Sequence, residues 1–394
     1  MDAEALANYS KFSKDSIEAL IEVFGDRTPS VVKALKSPGN RFFIRINTLR
    51  ADPEEIVALF GERGVAVEML PEIEEAAFIR ILGPFELKAH PKKIVVDRLA
   101  GESILLGSHL YAPGVKNCQG VRRGDVLAVV DEEGQHVANG VARQSETQIL
   151  KERRGLAVEI TEAVYRVPSI RETPEFVQGM TIPQSLPAMV AVRALEPQPN
   201  EVIVDLCASP GGKTSHIAEI TGGRASIFAF DRTEEKINDL KATLSRLRHD
   251  NINCICHDSR YLPEDFGDLK ADKVLLDPPC SALGLRPKLA EHATRREISS
   301  LASYQMQLLQ SASKILNEEG KLVYSTCTLT LDENEKVIKY GLEALGLTLE
   351  SQPIFLGSPG RDEIFKEAKK AQRFDPALHD TPGYFIARLV KRRS

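Results

Sequence analysis

At 394 residues the chain exceeds one ordinary core, and at roughly 100–200 residues per domain it divides into two or three. With 42% apolar and 27% charged residues it has the composition of a folded, water-facing protein; it lacks a run of about 18 apolar residues, and its six scattered cysteines do not form a disulfide framework. A net charge of −5 excludes a surface coated in basic residues but leaves room for a local basic groove, so nucleic acid stays open as a partner.

The start, Met1 to Ala5, carries neither the positive charge nor the apolar core of a signal peptide, which places the chain in the cytoplasm with reduced thiols. A helix is expected over residues 16–24, a strand over 42–50, and a second helix opening at Pro53 and running to about Phe60. This order describes a small α+β unit. Arg45, Asn47 and Arg50 interrupt the apolar residues of the strand, so they either face RNA or form an ordinary wet face.

From about residue 92 to 166 the texture changes to short strands punctuated by Gly101, Gly107, Gly114, Gly120, Gly124, Gly134 and Gly140, the pattern of a compact β-rich barrel. Within it, Gly107-Ser108-His109-Leu110-Tyr111-Ala112-Pro113-Gly114, Arg122-Arg123-Gly124-Asp125 and Asn139-Gly140 resemble the PUA domain, a pseudo-barrel appended to RNA-modifying enzymes. That resemblance implies an RNA role, centred on local pairs such as Arg122-Arg123; a purely structural barrel is the alternative. Six prolines between Pro168 and Pro199 then break the chain into a connector with one short helix around 188–195.

Beyond residue 200, apolar strands over 202–206, 225–230, 252–256, 273–276 and 321–324 alternate with helices, and 384–390 closes the series. This is the rhythm of a doubly wound α/β fold. Leu301, Tyr304, Leu308, Ala312 and Ile315 recur at three- and four-residue spacing and form one helix face for the sheet.

The chemistry begins where the first of these strands runs into Asp205-Leu206-Cys207-Ala208-Ser209-Pro210-Gly211-Gly212-Lys213-Thr214. Gly211 and Gly212 permit close backbone approach, and the helix start after them favours an anionic group. A nucleotide-phosphate loop would need a glycine where Cys207 stands, and the dinucleotide pattern lacks its first glycine, so both fail. Asp205, Asp231 and Asp258 follow three successive strands, an arrangement suited to an adenosine-sized pocket, although each alone could be a helix cap. Cys254-x-Cys256 lies in an alternating strand, and no metal site is expected. The fourth strand leads to Asp277-Pro278-Pro279-Cys280-Ser281 and the fifth to Ser325-Thr326-Cys327-Thr328. A thiolate and a carboxyl that can serve a ring nitrogen are what attack on an electron-poor pyrimidine needs. The residues themselves do not say which thiol attacks.

Together the segments around Cys207 to Thr214, Asp277 to Ser281 and Ser325 to Thr328 resemble the Nop/Sun family of RNA cytosine-5 methyltransferases, as do Arg45 to Arg50 and the closing Gly383-Tyr384-Phe385-Ile386-Ala387. Asp277-Pro278-Pro279 stands where many members have Asp-Ala-Pro, and keeps the carboxylate and the cysteine. The resemblance implies a small α+β N-terminal RNA-binding region over 1–90, an inserted β-rich PUA pseudo-barrel over 91–166, and a connector with a Rossmann-like methyltransferase domain over 167–394. It also implies methylation of a cytosine near the 3′ end of the tRNA acceptor stem, with tRNA as partner, no membrane and no obligate protein partner. By the same resemblance, Cys207, Ala208, Ser209, Pro210, Gly211, Gly212 and Lys213 cradle S-adenosyl-L-methionine, Asp231 holds its ribose, and Lys236 and Asp258 complete the pocket. Asp277 would sit between methyl donor and base, Cys327 would add to carbon 6, and Cys280 would help release the enzyme. The rival readings are ribosomal RNA as substrate, an ATP-using enzyme, and a silent RNA-binding scaffold.

Overall fold

Three sheets carry the chain in the computed structural model, which describes residues 3–392. Met1 and Asp2, part of the stretch without signal-peptide features, lie outside the described residues. No helix among the described residues is long and apolar enough to cross a membrane.

In the C-terminal half, Asn253–Cys256, Ser226–Asp231, Val202–Asp205, Ala271–Leu276 and Leu316–Thr326 lie side by side in that order and parallel, and Tyr384–Lys391 joins the last antiparallel. This is the Rossmann-like order, with its reversal beside Val202–Asp205, where α/β sheets open a ligand crevice. The strands show no apolar alternation because both faces are covered. Val204, Leu276, Leu322 and Tyr324 belong to a core closed by the helix Arg295–Ile315; Ile203, Leu275 and Val323 belong to another closed by Leu186–Leu195. On Arg295–Ile315 the expected face is buried at Leu308, Ala312 and Ile315. Leu301 departs from it: its turn overhangs the strand ends and lines an open groove with Tyr304, Pro279 and Ser281.

The N-terminal part folds as α+β. The helix expected over 16–24 starts earlier, as Lys14–Phe24, because Ser13 caps it by accepting the Ser16 amide. The strand expected over 42–50 is Arg41–Ile46 and stops there, since Asn47 accepts the Leu49 amide on its side chain and the Arg50 and Ala51 amides on its carbonyl, which turns the chain. That strand pairs antiparallel with Ala76–Arg80 on one side and with Thr181–Pro183, from the connector, on the other. Arg45 does not face RNA. Its side chain is fully buried against the C-terminal half, where Glu219, Ser215, Gln184 and the Gly212 carbonyl accept its hydrogen bonds. Asn47 is buried as well, donating to the carbonyls of Gly179 and Leu247.

Residues 93–163, the segment that resembles a PUA domain, form a six-stranded sheet in which Lys93–Val96 runs parallel to Val126–Asp131 and the remaining pairings are antiparallel. Two helices, Arg98–Ile104 and Glu146–Glu152, interrupt the β texture. Its core of Ile94, Val96, Leu127, Val129 and Val158 is completed from outside by Leu289, which follows the strand Ala271–Leu276. The Leu289 amide donates to Glu102 at 3.1 Å, and its carbonyl accepts from Lys36 at 2.8 Å and Gln135 at 3.2 Å. Truncation to Leu289→Ala leaves a cavity costing about 2–5 kcal/mol. Hydrogen exchange should therefore lose protection in the strands of residues 93–163 while Val202–Asp205 keeps its own; equal loss in both would contradict this reading.

Candidate active site

The loop after Val202–Asp205 is fixed from below. Asp205 is buried and accepts the Thr214 hydroxyl at 2.7 Å and the Cys207 amide at 3.3 Å; burial pushes its carboxyl up to about 6. Gly211 adopts φ +103°, conformational space open to glycine, and starts the helix Gly212–Ile220. A Cβ there would meet Leu240 at 3.0 Å, whereas at Gly212 the nearest atom is Gln184 Nε2 at 3.9 Å. The loop thus presses on its own domain at Gly211 and leaves open space at Gly212.

Asp231, at the end of Ser226–Asp231, is tied to this loop by the Ser209 amide at 3.1 Å and receives Lys236 Nζ at 3.0 Å and the Arg232 amide at 2.8 Å. Asp258 caps the turn Ser259–Tyr261 and holds the Arg260 guanidinium, Nε at 3.0 Å and Nη2 at 2.6 Å, which keeps its carboxyl below the usual range. Arg260 in turn lies over the rings of Tyr261 and Tyr304, at 5.3 and 5.0 Å from their centroids. Asp258 therefore combines the cap that its position allowed with a place at the shared strand edge.

Asp277 connects the cofactor loop to the two cysteine loops. Its Oδ2 meets Lys213 Nζ at 2.6 Å, while Oδ1 accepts Ser325 Oγ at 2.8 Å and Tyr384 Oη at 2.9 Å. Burial works against the Lys213 ammonium, but the Asp277 and Tyr384 oxygens outweigh it and hold its pKa well above the ordinary lysine value. Cys280 and Cys327 meet at 3.3 Å between sulfur atoms, both half-buried. The contact favours thiolate at Cys327, whose pKa is lowered by the Cys280 hydrogen bond against the cost of burial, with Lys213 and Lys288 assisting. Cys280 is pushed well above the ordinary thiol value by that same contact, by burial and by Glu333. Gly284 locks the backbone here: its amide donates to the Cys327 carbonyl at 2.9 Å, and a Cβ would stand 2.2 Å from the Gly383 carbonyl.

Asp205, Asp231, Asp258, Asp277, Cys280 and Cys327 thus converge on one carboxyl edge of the sheet, next to an open groove of about 620 Å³ lined by Pro279, Ser281, Tyr304, Arg98, Arg232 and Arg296 among others, whereas Arg45, Asn47, Arg122 and Arg123 lie away from it. Sequence reading missed Ser325, Glu333 and the hydroxyl of Tyr384 as parts of the site. Ser325 and Tyr384 lay inside segments read as strand ends, and Glu333 sat in an acidic run that reads as solvated surface.

Residues 192–390 match the family model described as 16S rRNA methyltransferase RsmB/F, and residues 92–164 match the PUA domain. The chain belongs to the RsmB/F, or Nop/Sun, methyltransferase family. Among its Nop/Sun relatives, the tRNA (cytosine(72)-C(5))-methyltransferase of Pyrococcus horikoshii is 39% identical, the match covering 96% of this chain and 97% of the relative. The human tRNA (cytosine(72)-C(5))-methyltransferase NSUN6 is 30% identical over 98% and 97%. The crystal structure of NSun6 from Pyrococcus horikoshii with SFG, an analogue of S-adenosylmethionine, superposes with a TM-score of 0.89 at 37% identity, covering 98% of this chain and all of that one. Like the rest of its Nop/Sun family, the enzyme uses S-adenosylmethionine. The residues present fit that cofactor: an open glycine-lined loop at a helix start, with carboxylates at the adjoining strand ends.

Asp205 makes the site pH-sensitive in a defined direction. Its folded pKa of about 6 exceeds the ordinary 3.8, so its contribution to stability is full below about pH 4 and is lost as pH rises through 6. Asp205→Asn removes the buried charge, and its stability relative to the parent should grow by about 2–3 kcal/mol between pH 4 and pH 7. Denaturant titrations of both proteins at the two pH values test this; a difference that does not change with pH refutes it.

Proposed function

We propose that this enzyme methylates carbon 5 of a cytosine near the 3′ end of the tRNA acceptor stem, with Cys327 as nucleophile, Asp277 serving the ring nitrogen and Cys280 completing release. The observation that carries the reading is the thiol pair, in contact at 3.3 Å on the two loops that Asp277 joins through Ser325. S-adenosylmethionine supplies the electrophilic methyl group; Cys207, Ala208, Ser209, Pro210, Gly211, Gly212 and Lys213 hold it, with Asp231, Lys236 and Asp258 around its adenosine. Cytosine carbon 5 is a poor nucleophile until a thiolate adds at carbon 6 and the ring nitrogen takes up a proton or strong hydrogen bond. Cys327 is the thiol that ionises more easily. Once it is bound to carbon 6 its negative charge is gone, and Cys280, released from the contact that kept its own proton on, gives that proton to solvent and becomes a thiolate. Cys280 can then remove the proton from carbon 5, after which the bond between Cys327 and carbon 6 breaks.

Transfer RNA is favoured over ribosomal RNA because the relatives named for tRNA cytosine 72 match nearly the whole chain at 39% and 30% identity, whereas a relative named for rRNA that spans 92% of it is 26% identical. In this reading residues 1–90 are an RNA-binding region, 91–166 the PUA domain, and 167–394 the connector and catalytic domain. A mechanism that needs both thiols reduced also suits a reducing compartment, the cytoplasm.

Replacing the two thiols should give opposite outcomes on a denaturing gel with labelled tRNA and cofactor. Cys327→Ala forms neither product nor covalent complex, whereas Cys280→Ala accumulates RNA-linked protein. A trapped complex with Cys327→Ala and none with Cys280→Ala reverses the assignment. In the PUA domain, Arg122 and Arg123 are exposed. Changing both to Ala should weaken tRNA binding and reduce its salt slope by up to about 2, with cofactor affinity untouched. Equal loss of cofactor affinity would defeat the division of labour.

A further inference from the structure

Glu333 is completely buried, and among the described residues no lysine or arginine forms an ion pair with it. The nearby cations are engaged elsewhere, Lys288 with Glu291 and Arg373 with Glu335. Its carboxylate is met only by neutral donors. Oε1 accepts the Ser281 amide at 2.8 Å and Gln305 Nε2 at 3.2 Å; Oε2 accepts the hydroxyls of Ser281 at 2.6 Å, Thr330 at 3.0 Å and Thr328 at 3.3 Å. Ser281 follows Cys280 and Thr328 follows Cys327, so one carboxylate grips the residue after each thiol. With Ser281 donating to Oε2, the single Thr328 proton is shared between Oε2 and the Ser281 hydroxyl at 2.7 Å, so Thr328 reaches the carboxylate directly or through Ser281. Beside it, Asn334 donates to the Thr328 carbonyl at 3.1 Å and accepts the Thr326 hydroxyl at 2.6 Å, fixing both neighbours of Cys327.

A buried charge without a counter-ion is expensive, and joining two loops does not require one, since an amide could hold several of the same donors. The charge therefore calls for a reason beyond tethering. We infer that Glu333 is a positioning residue for the methyl transfer: it sets the two sulfur atoms in contact, and its negative charge keeps the shared proton on Cys280 and off Cys327.

The charges around the pair agree with this. Lys213 and Lys288 act on Cys327 and favour its thiolate, against the opposing Asp277 carboxylate. Glu333 acts on Cys280 and disfavours its thiolate. Tyr324 and Tyr384, the other titratable groups packed here, are both held protonated by burial, with Glu333 adding to the effect on Tyr324 and Asp277 to that on Tyr384. The arrangement favours charge on the nucleophile over charge on Cys280, and makes Cys280 a stronger base once its proton has passed to solvent after the adduct forms.

This inference rests on Cys327 being the nucleophile, but its test needs no RNA. The full-length protein is labelled with iodoacetamide at low conversion across pH 6–10, and peptide mass spectrometry follows each cysteine separately. In the parent, Cys327 should label with a lower pH midpoint than Cys280. In Glu333→Gln, the ratio of Cys327 to Cys280 labelling at pH 8 should fall at least about threefold, one pKa unit being worth tenfold in thiolate. Glu333→Asp, which keeps the charge, should restore most of that ratio. Cys280 labelling first in the parent, or a Gln variant with the parent's two profiles, would overturn the proposal; the first comparison requires no variant to fold. Should the gel experiment instead reverse the roles of the thiols while the labelling order stands, the assignment of the nucleophile fails and the control by Glu333 survives.

Discussion

The Arg45 guanidinium is the interaction on which the rest leans. It leaves the N-terminal strand Arg41–Ile46, is buried completely, and reaches Glu219, Ser215 and the Gly212 carbonyl on the helix that follows the loop after Val202–Asp205. Taking a guanidinium out of water is tolerable only when nearly every donor is met, and removing one partner of such a pair typically costs about 3–5 kcal/mol. The same interface carries a second cluster, in which buried His216 and half-buried Arg193 both meet the buried Glu75 carboxylate. Joined this way, the N-terminal sheet is a wall of the catalytic domain and the cofactor loop has a fixed floor. That fixity matters because transfer of a methyl group depends on placement of the reacting atoms to within fractions of an ångström.

Above that floor, Asp277 ties together what the sheet delivers separately. The cofactor loop reaches it through Lys213, the fifth strand through Ser325 and the closing strand through Tyr384. The loop that follows one strand and the ends of two others are thereby referred to one carboxylate. The N-terminal helices add a clamp from outside, since Leu20, Val31 and Val32 share a core with Leu283 and Leu329, which lie just beyond Cys280 and Cys327.

Much of this was legible in the sequence wherever the local chain carried the signal. Strands buried on both faces read as unbroken apolar runs, and Gly211, Asp231, Asp277, Cys280 and Cys327 all follow such runs, so their shared edge could be inferred before any coordinates. Illegible were the residues whose meaning depends on distant partners. Arg45 looks like a surface cation until Glu219 is brought to it, Glu333 looks like part of a solvated run until Ser281 arrives, and Leu301 follows the helical period yet sits beyond the end of the sheet. Local pattern fixes which way a side chain points along its own element; only the tertiary fold decides what stands opposite.

Leu289 gives the PUA domain an unusual kind of ownership. Because this side chain enters the PUA core from the segment that follows Cys280, the barrel is contiguous in sequence but not in packing. A cassette cut at residues 91 and 166 and moved to another scaffold would carry a hole where Leu289 belongs, and the donor left behind would expose a leucine beside its own catalytic loop. Shuffling of this domain among enzymes would therefore have to move two separated pieces of the gene together, or rebuild the missing plug in each new host.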